Sequence, residues 1–271
     1  MKHFLPASLR FSFVIGIVIS SLYGCSKLDP AEPIPSYLHI DKLTLTTVGQ
    51  NQGSNSSKIT DAWIYMDNNL VGAFQLPCTV PILADGTHHF IIKGGVLMNG
   101  LVSTRAIYPF WKGWEGDVEL TRGKVKSIGT QTVNYFPAFQ PLWISDFNAG
   151  SALSNAHSST ASINCEANGA FECHSCHIHI DNTTSNVAFC FTPSLNLPSS
   201  SDIWVEFDYK CSTAFTIGIL DDATNYTSQW LTLDPTTTWK TIYIRLTDIL
   251  ANQADTKSVT YRVYFGMLLD Q

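Results

Sequence analysis

The stretch "DIWVEFDYKC" (residues 202–211) decides the fold class of this chain. Its apolar positions recur at every second residue: Ile203, Val205, Phe207 and Tyr209. The positions between them hold Trp204, Glu206, Asp208 and Lys210. A repeat of two predicts a β-strand with one face in a core. We expect Glu206 and Asp208 to be hydrated on the open face, although the pair could also bind Ca²⁺ or act as an acid and a base.

The same period continues through the C-terminal half (residues 137–271). "TWKTIYIRLTDIL" (238–250) and "VTYRVYFGMLL" (259–269) alternate, and only "LTDILANQAD" (246–255) could hold a helical turn. The order of a start like "FNAGSALSN" (147–155), central strands, "WKTIYIRLTD" and a final strand resembles the galactose-binding-like jelly roll. That resemblance implies a jelly-roll β-sandwich over residues 137–271.

The N-terminal half (residues 37–136) also consists of predicted strands. "YLHIDKLTLTT" (37–47) alternates, "AWIYMDNNLVGAF" (62–74) predicts a hairpin turning at Asn68-Asn69, and "DVELTRGKVKSIG" (117–129) predicts one around Arg122-Gly123. No helical period of useful length appears. We therefore expect an all-β chain, with a small Ig-like β-sandwich of six or seven strands followed by the jelly roll.

A family resemblance supports this half as a sandwich. The region 63–92 is similar to PEGA-like and carboxypeptidase-regulatory-like sandwiches. The matching residues are Asp67, Gly72, Pro81, Leu83, Gly86 and His88. "IPSYLHIDKLTLTT" (34–47) and "SSKITDAWIY" (56–65) also resemble uncharacterised lipoproteins of Bacteroidota. That second resemblance implies no known activity.

Residues 1–24 have the features of a lipoprotein signal peptide. Lys2 and Arg10 precede the apolar run "FSFVIGIVIS" (11–20), and "LYGC" (22–25) resembles the bacterial lipobox, with Tyr23 in place of the usual small residue. The resemblance implies cleavage before Cys25 and a covalent lipid on its sulfur. The proline-rich residues 25–36 would then form a tether between the bilayer and the fold.

The anchor and the charge together limit the location and the partners. Without residues 1–24 the chain keeps 14 basic and 22 acidic residues, a formal charge of −8, which disfavours nucleic acid as a partner. The lipoprotein resemblance favours the outer membrane, on its periplasmic face or at the cell surface. Export would place the remaining six cysteines in an oxidising compartment, where disulfides are the default.

One motif names a cofactor. "ECHSCHIHID" (172–181) contains C-x-x-C-H, the pattern of covalent haem attachment, and Cys173, Cys176, His177 and His179 could instead contribute to a zinc site. Against both, His177 and His179 alternate as in a strand, which would put Cys173 and Cys176 on opposite faces. We expect no cofactor here, and cysteines that are buried or paired with partners such as Cys165, Cys190 or Cys211.

Three tryptophans are candidates for a ligand or protein interface. Trp111 and Trp114 stand among Lys112, Gly113 and Glu115, which predicts exposure, and Trp204 lies on the outward side of its strand. Exposed aromatic rings stack on sugars or anchor protein contacts. The alternative is that they fill the core.

The sequence lacks the motifs of a nucleophile elbow, a zinc protease or a phosphate loop, so we expect no enzyme. Three functions remain. The first is an accessory subunit of an outer-membrane protein assembly, acting through protein contacts. The second is a glycan-binding surface lipoprotein, and the third is a haem or zinc protein built on residues 173–177.

Overall fold

The computed structural model describes residues 32–156, 159, 161–180, 186–197, 201–252 and 260–268. The predicted signal peptide, Cys25 and most of the tether lie outside these residues. In the part that is described, regular structure is almost entirely β-strand, which confirms the all-β prediction. No helix among the described residues is long and apolar enough to cross a bilayer.

The N-terminal half forms two facing sheets. Its strands are β1 (Ser36–Thr46), β2 (Asp61–Met66), β3 (Asn69–Gln75), β4 (Cys78–Ile82), β5 (Gly86–Leu97), β6 (Arg105–Ile107), β7 (Trp111–Lys112), β8 (Trp114–Leu120) and β9 (Val125–Tyr135). One sheet has the order β4-β1-β9-β7, and the other has the order β3-β2-β5-β6 with β8 also on β5. A 3₁₀ turn covers Gln50–Gln52. The strands outnumber the six or seven predicted because short strands such as β6 and β7 leave no periodic signal.

The first strand shows how a bulge keeps a face buried. Leu38 and Ile40 are fully buried, and so are Leu43 and Leu45, although a strict period of two would put the second pair on the other face. The register against β9 shifts between Ile40 and Lys42, which restores the phase. β1 and β9 run parallel, so the first and last strands of this half lie side by side.

Two predicted turns differ from the structure in detail. The hairpin of β2 and β3 turns at Asp67 and Asn68, which have φ of 49° and 65°, one residue earlier than predicted. Two consecutive positive φ angles are typical of the type I′ turn, which Asn and Asp tolerate. The hairpin predicted around Arg122-Gly123 is wrong, because β8 pairs with β5 and β9 pairs with β1. That turn crosses from one sheet to the other.

The C-terminal half has one large sheet and one small one. Its elements are β10 (Ser154–Asn155), β11 (Ser162–Glu166), β12 (Ser175–His179), β13 (Val187–Phe191), β14 (Leu195–Asn196), β15 (Trp204–Cys211), β16 (Phe215–Asp221), β17 (Thr227–Leu233), β18 (Thr236–Arg245), the short helix α1 (Thr247–Ala251) and β19 (Thr260–Leu268). The large sheet has the order β10-β13-β19-β16-β17, with β14 also on β19. β15 pairs only with β18, and β11 only with β12, among the described strands.

The predicted inward faces of this half are confirmed. Ile203 and Ile244 are buried in one cluster with Ile217 and Val263 of the large sheet, and Phe207 packs against that cluster. The helix α1 falls inside the segment that was predicted to hold a helical turn, and it adds Ile249 and Leu250 to the same cluster. The two-stranded sheet of β15 and β18 therefore covers the large sheet with one face.

Candidate functional site

The outward face of β15 and β18 packs against the N-terminal half. Trp204 and Tyr243 stand on this face. Tyr243 belongs to the buried cluster of the N-terminal sandwich, and Trp204 packs against that cluster. Tyr108 is at the centre of the contact. Its ring centroid lies 5.0 Å from that of Tyr243, 5.4 Å from Trp204 and 4.5 Å from Trp111. We call these four residues the aromatic junction.

The structure changes the interpretation of the tryptophans. Trp111 was predicted to be exposed, and this is wrong, because only 2% of its surface is exposed. Its ring fills the core beneath Tyr108, since Gly94 leaves room for it. Trp114 and Trp204 are half-buried and pack against the same cluster. All three rings take part in core or junction packing.

Glu206 lies inside the junction. The prediction that it stands on an open, hydrated face is wrong. Its Oε2 accepts a hydrogen bond of 2.9 Å from the Tyr108 hydroxyl and one of 3.2 Å from the Tyr135 hydroxyl. Burial raises the pKa of Glu206 to about 7, while the two tyrosine hydroxyls act in the opposite direction. Burial and the neighbouring Glu206 carboxyl also raise the pKa of Tyr108, so its hydroxyl remains a donor. Glu206 is thus a partly buried acid held by two phenols.

Asp208 also joins the two halves. Its Oδ1 accepts hydrogen bonds from Ser56 Oγ at 3.1 Å, across the junction, and from Thr241 Oγ1 at 2.5 Å on the neighbouring strand. Glu206 and Asp208 therefore accept hydrogen bonds from different residues. The two carboxylates do not act together as a Ca²⁺ site or as an acid–base pair in this arrangement. The prediction of an open, hydrated face failed because the N-terminal half covers it.

Main-chain hydrogen bonds reinforce the contact. The carbonyl of Tyr243 accepts from the Asn99 amide at 2.8 Å, and the Arg245 amide donates to Asn99 Oδ1 at 3.0 Å. The Tyr243 hydroxyl accepts from the Lys58 amide at 3.0 Å. Met98 forms a parallel bridge with Tyr243, so the end of β5 extends the small sheet by one position. Tyr243 is the residue to which most of these bonds converge.

A pocket of about 180 Å³ opens beside the junction. Lys58, Thr60, Leu97 and Gly100 line it from the N-terminal half, and Tyr209 and residues 240–243 line it from the C-terminal half. We call it the junction pocket. Its wall combines hydroxyl groups, two ammonium groups and the apolar surfaces of Leu97 and Ile242.

The backbone of Thr241 adds polar groups to the junction pocket. The carbonyl of Tyr243 accepts its hydrogen bond from Asn99 and not from β15. The main-chain groups of Tyr243 therefore point away from β15. Main-chain groups two residues apart in a strand point to the same side. The N–H and C=O of Thr241 therefore face the edge of β18, where Thr241 lines the pocket. A ligand that can donate and accept hydrogen bonds would find both there.

One cysteine of the C-x-x-C-H motif is part of a disulfide. Cys176 forms a disulfide with Cys165, its register partner across β11 and β12. Its sulfur is therefore not available as a zinc thiolate or for a haem thioether. Cys173 precedes β12, so the two cysteines are not on opposite faces of one strand, and His177 and His179 are exposed. Among the described residues, no three His, Cys, Asp or Glu side chains converge on a metal position.

Sequence reasoning missed most of the junction. Tyr108, Tyr135 and Tyr243 were not singled out, and neither were the pocket lysines. One signal was present: the outward positions of β15 and β18 carry Trp204 and Tyr243, which are unusual on a hydrated face. The partner surface could not be identified, because Tyr108 lies 98 positions from Glu206 along the chain.

Comparison with known proteins gives little more. No protein-family model matches this chain, and no curated protein matches it. Among solved structures, the chain is similar to one from a study of the promiscuous specificity of carbohydrate-binding modules of the β-sandwich superfamily. The identity is 10%, the TM-score is 0.33, and the match covers 78% of this chain and 79% of that one.

The disulfide can be tested by its peptides. We expect cleavage after Glu172 without reductant to yield the two fragments that contain Cys165 and Cys176 still joined. In the folded protein, iodoacetamide should modify the exposed Cys173 quickly and the buried Cys190 slowly, since burial raises the pKa of the Cys190 thiol to about 11. Free Cys176, or haem bound to the peptide, would contradict this assignment.

The buried acid can be tested by pH. The folded state keeps the Glu206 proton up to about pH 7, whereas the unfolded state releases it near 4.5, so this residue lowers stability as pH rises between those values. We expect Glu206→Gln to remove that decline and to be more stable than wild type at pH 8 by about 2–3 kcal/mol. Urea unfolding at several pH values measures it.

The exposed Glu119→Gln on β8 is the matched control and should leave the pH profile unchanged. Other titrating groups are present in every variant, so they cancel in the difference between two profiles. Parallel profiles for wild type and Glu206→Gln would show that Glu206 is ionised in the folded protein.

Proposed function

We propose that this chain is a non-catalytic, lipid-anchored envelope protein that binds a saccharide in the junction pocket. One observation carries the proposal: the two halves together line a pocket, and its lining residues supply hydroxyl groups, strand-edge backbone and apolar surface. Such a wall suits a sugar, because a sugar ring has an apolar face and a rim of hydroxyls.

The size of the pocket fits one sugar unit. About 180 Å³ lies below the roughly 300 Å³ at which pockets for drug-sized ligands begin. Its location between the halves leaves an opening through which the remainder of a longer saccharide would extend. This moves the glycan site from the jelly roll alone, where the sequence predicted it, to the junction.

The position of Glu206 supports a binding role and not a catalytic one. Glu206 is the carboxyl group with the strongly raised pKa, and it is not among the residues that line the junction pocket. Its oxygen is already engaged by two tyrosine hydroxyls. The contacts of Glu206 at the junction account for its raised pKa, so that pKa is not evidence of a catalytic role.

The anchor and the division into two units remain part of the proposal. We place Cys25 as the lipid attachment site and the outer membrane as the location, from the lipobox resemblance alone. We also propose that residues 37–136 and 137–271 are two domains. Described strand pairing supports this, since it stays within each half apart from the bridge of Met98 with Tyr243.

Saccharide binding is tested on the detergent-solubilised full-length protein. We expect a glycan array to retain it, and we expect Tyr209→Ala and Thr60→Ala to weaken binding by about three- to tenfold, the effect of losing one or two hydrogen bonds. Tyr226→Ala is the control, because this tyrosine is 62% exposed and does not line the pocket. Thr60 lies in the N-terminal half. Weaker binding by Thr60→Ala therefore cannot result from damage to the C-terminal core, as it could for Tyr209→Ala.

Two results would end this proposal. One is an array on which no saccharide retains the protein. The other is an unchanged affinity in both pocket variants while thermal melting shows that they are folded. The Tyr226→Ala protein must bind as wild type for either comparison to count.

A second candidate is the accessory subunit of an outer-membrane assembly. The segment that joins the halves carries Phe136, Leu142 and Ile144, which are 46%, 62% and 46% exposed. Three large apolar side chains exposed within nine residues favour a protein contact. Sugar binding and assembly are compatible, because this segment does not line the junction pocket.

The assembly role is tested by mass in mild detergent. We expect protein extracted from the native membrane to migrate above its monomer mass, and Leu142→Asp to return it to the monomer. Leu83→Asp is the control, since Leu83 is 71% exposed but lies outside the segment. Cys25→Ser should release the protein from the membrane. Migration of the wild type at monomer mass would exclude the subunit role.

A further inference from the structure

The junction pocket carries two positive charges, one from each half of the chain. Lys58 lies just before β2, and Lys240 lies on β18, opposite Tyr209 of β15. Both residues are exposed. The Lys58 amide donates a hydrogen bond to the Tyr243 hydroxyl, which fixes the position of the Lys58 backbone at the pocket.

Neither ammonium group has a carboxylate partner in the described part of the chain. The ion pairs found there within 4.0 Å involve arginine or histidine, and none involves lysine. Lys93 and Lys210 lie over the rings of Tyr65 and Trp239, at 5.2 and 5.4 Å. Lys58 and Lys240 thus differ from these two lysines in lining the junction pocket.

Asp208, the register partner of Thr241 on β15, is already hydrogen-bonded. Asp208 Oδ1 accepts from Ser56 and Thr241, and its pairing with these hydroxyls holds it at the junction. Asp208 is not among the residues that line the pocket, whereas both lysines are. Two lysines therefore line the cavity in a chain whose formal net charge is −6.

We infer that the saccharide bound in the junction pocket is acidic, and that its carboxylate or sulfate lies between Lys58 and Lys240. This inference rests on the proposed function and specifies its ligand. The hydroxyls of Thr60 and Tyr209 and the strand edge at Thr241 would take the sugar hydroxyls, while the two ammonium groups take the charge. An ammonium group is a point donor that suits either a carboxylate or a sulfate.

Salt dependence alone would not test this inference. Added salt screens the attraction of the two lysines, but it also screens the repulsion between an anion and the rest of an acidic chain. The two effects have opposite signs. A comparison of matched ligands and matched variants at one ionic strength removes this ambiguity.

The experiment is a cycle of two proteins and two ligands. The ligands are a short oligogalacturonate and the same oligosaccharide after its carboxylates are reduced to hydroxymethyl groups, with a sulfated neutral oligosaccharide as a third arm. The proteins are full-length wild type and Lys58→Gln/Lys240→Gln. We expect wild type to bind the charged form about tenfold more tightly than the reduced form, and the double variant to lose this preference.

Lys124→Gln/Lys126→Gln is the matched control, because both lysines are exposed near the start of β9 and neither lines the pocket. It removes two positive charges, as the test variant does, and should keep the preference. A preference for the sulfated arm that the double variant loses would support the inference and identify the anion as sulfate. Unchanged melting temperatures would show that both variants are folded.

Three outcomes overturn the inference, and they are distinguishable. Equal binding of charged and reduced ligands by wild type rejects the acidic ligand and leaves the saccharide proposal standing. A preference that persists in Lys58→Gln/Lys240→Gln places the anion elsewhere. Binding of none of the three ligands rejects the inference, and the proposed function is rejected with it where the glycan array also retains no protein.

Discussion

The contact between the Glu206 carboxyl and the Tyr108 and Tyr135 hydroxyls is the constraint on which the relation of the two halves depends. A carboxyl group that leaves water must be hydrogen-bonded or protonated, because an isolated buried charge is very costly. Both tyrosines come from the N-terminal half, at 2.9 and 3.2 Å. Separation of the halves would leave Glu206 in water and expose the rings of Trp204 and Tyr243. The small sheet of β15 and β18 is therefore buried on both faces, one against its own sandwich and one against the other.

The same contact creates the pocket. Tyr243 belongs to the aromatic junction, receives the Lys58 amide on its hydroxyl and lines the cavity. The bridge of Met98 with Tyr243 joins the end of β5 to β18. The junction pocket lies next to this bridge, where Thr241 lines it. The cavity thus lies beside the contacts that join the two halves. A ligand in this place would contact both halves and so favour their docked arrangement.

The cysteine motif illustrates how a pattern can match without its chemistry. Residues 173–177 match the C-x-x-C-H motif of haem attachment. The strand that starts at Ser175, however, pairs Cys176 with Cys165 of the neighbouring strand β11. Sequence spacing cannot distinguish a loop that gathers two thiols from a strand that gives one of them to a neighbour. The general prediction of disulfide pairing, with Cys165 among the possible partners, was confirmed for Cys176. Which of the candidate partners it takes is decided by the register of β11 and β12.

The sequence by itself determined the all-β class, the inward faces of β15, β18 and β19 and the hairpin of β2 and β3. Each of these depends on side chains two residues apart or on a short turn, so the information is local. Only the tertiary structure decided that Trp111 is buried, that Glu206 meets two tyrosines and that Lys58 and Lys240 share a pocket. Those facts require residues far apart in the chain to meet. An alternating strand shows which side chains share a face, but it does not show whether water or another sheet covers the second one.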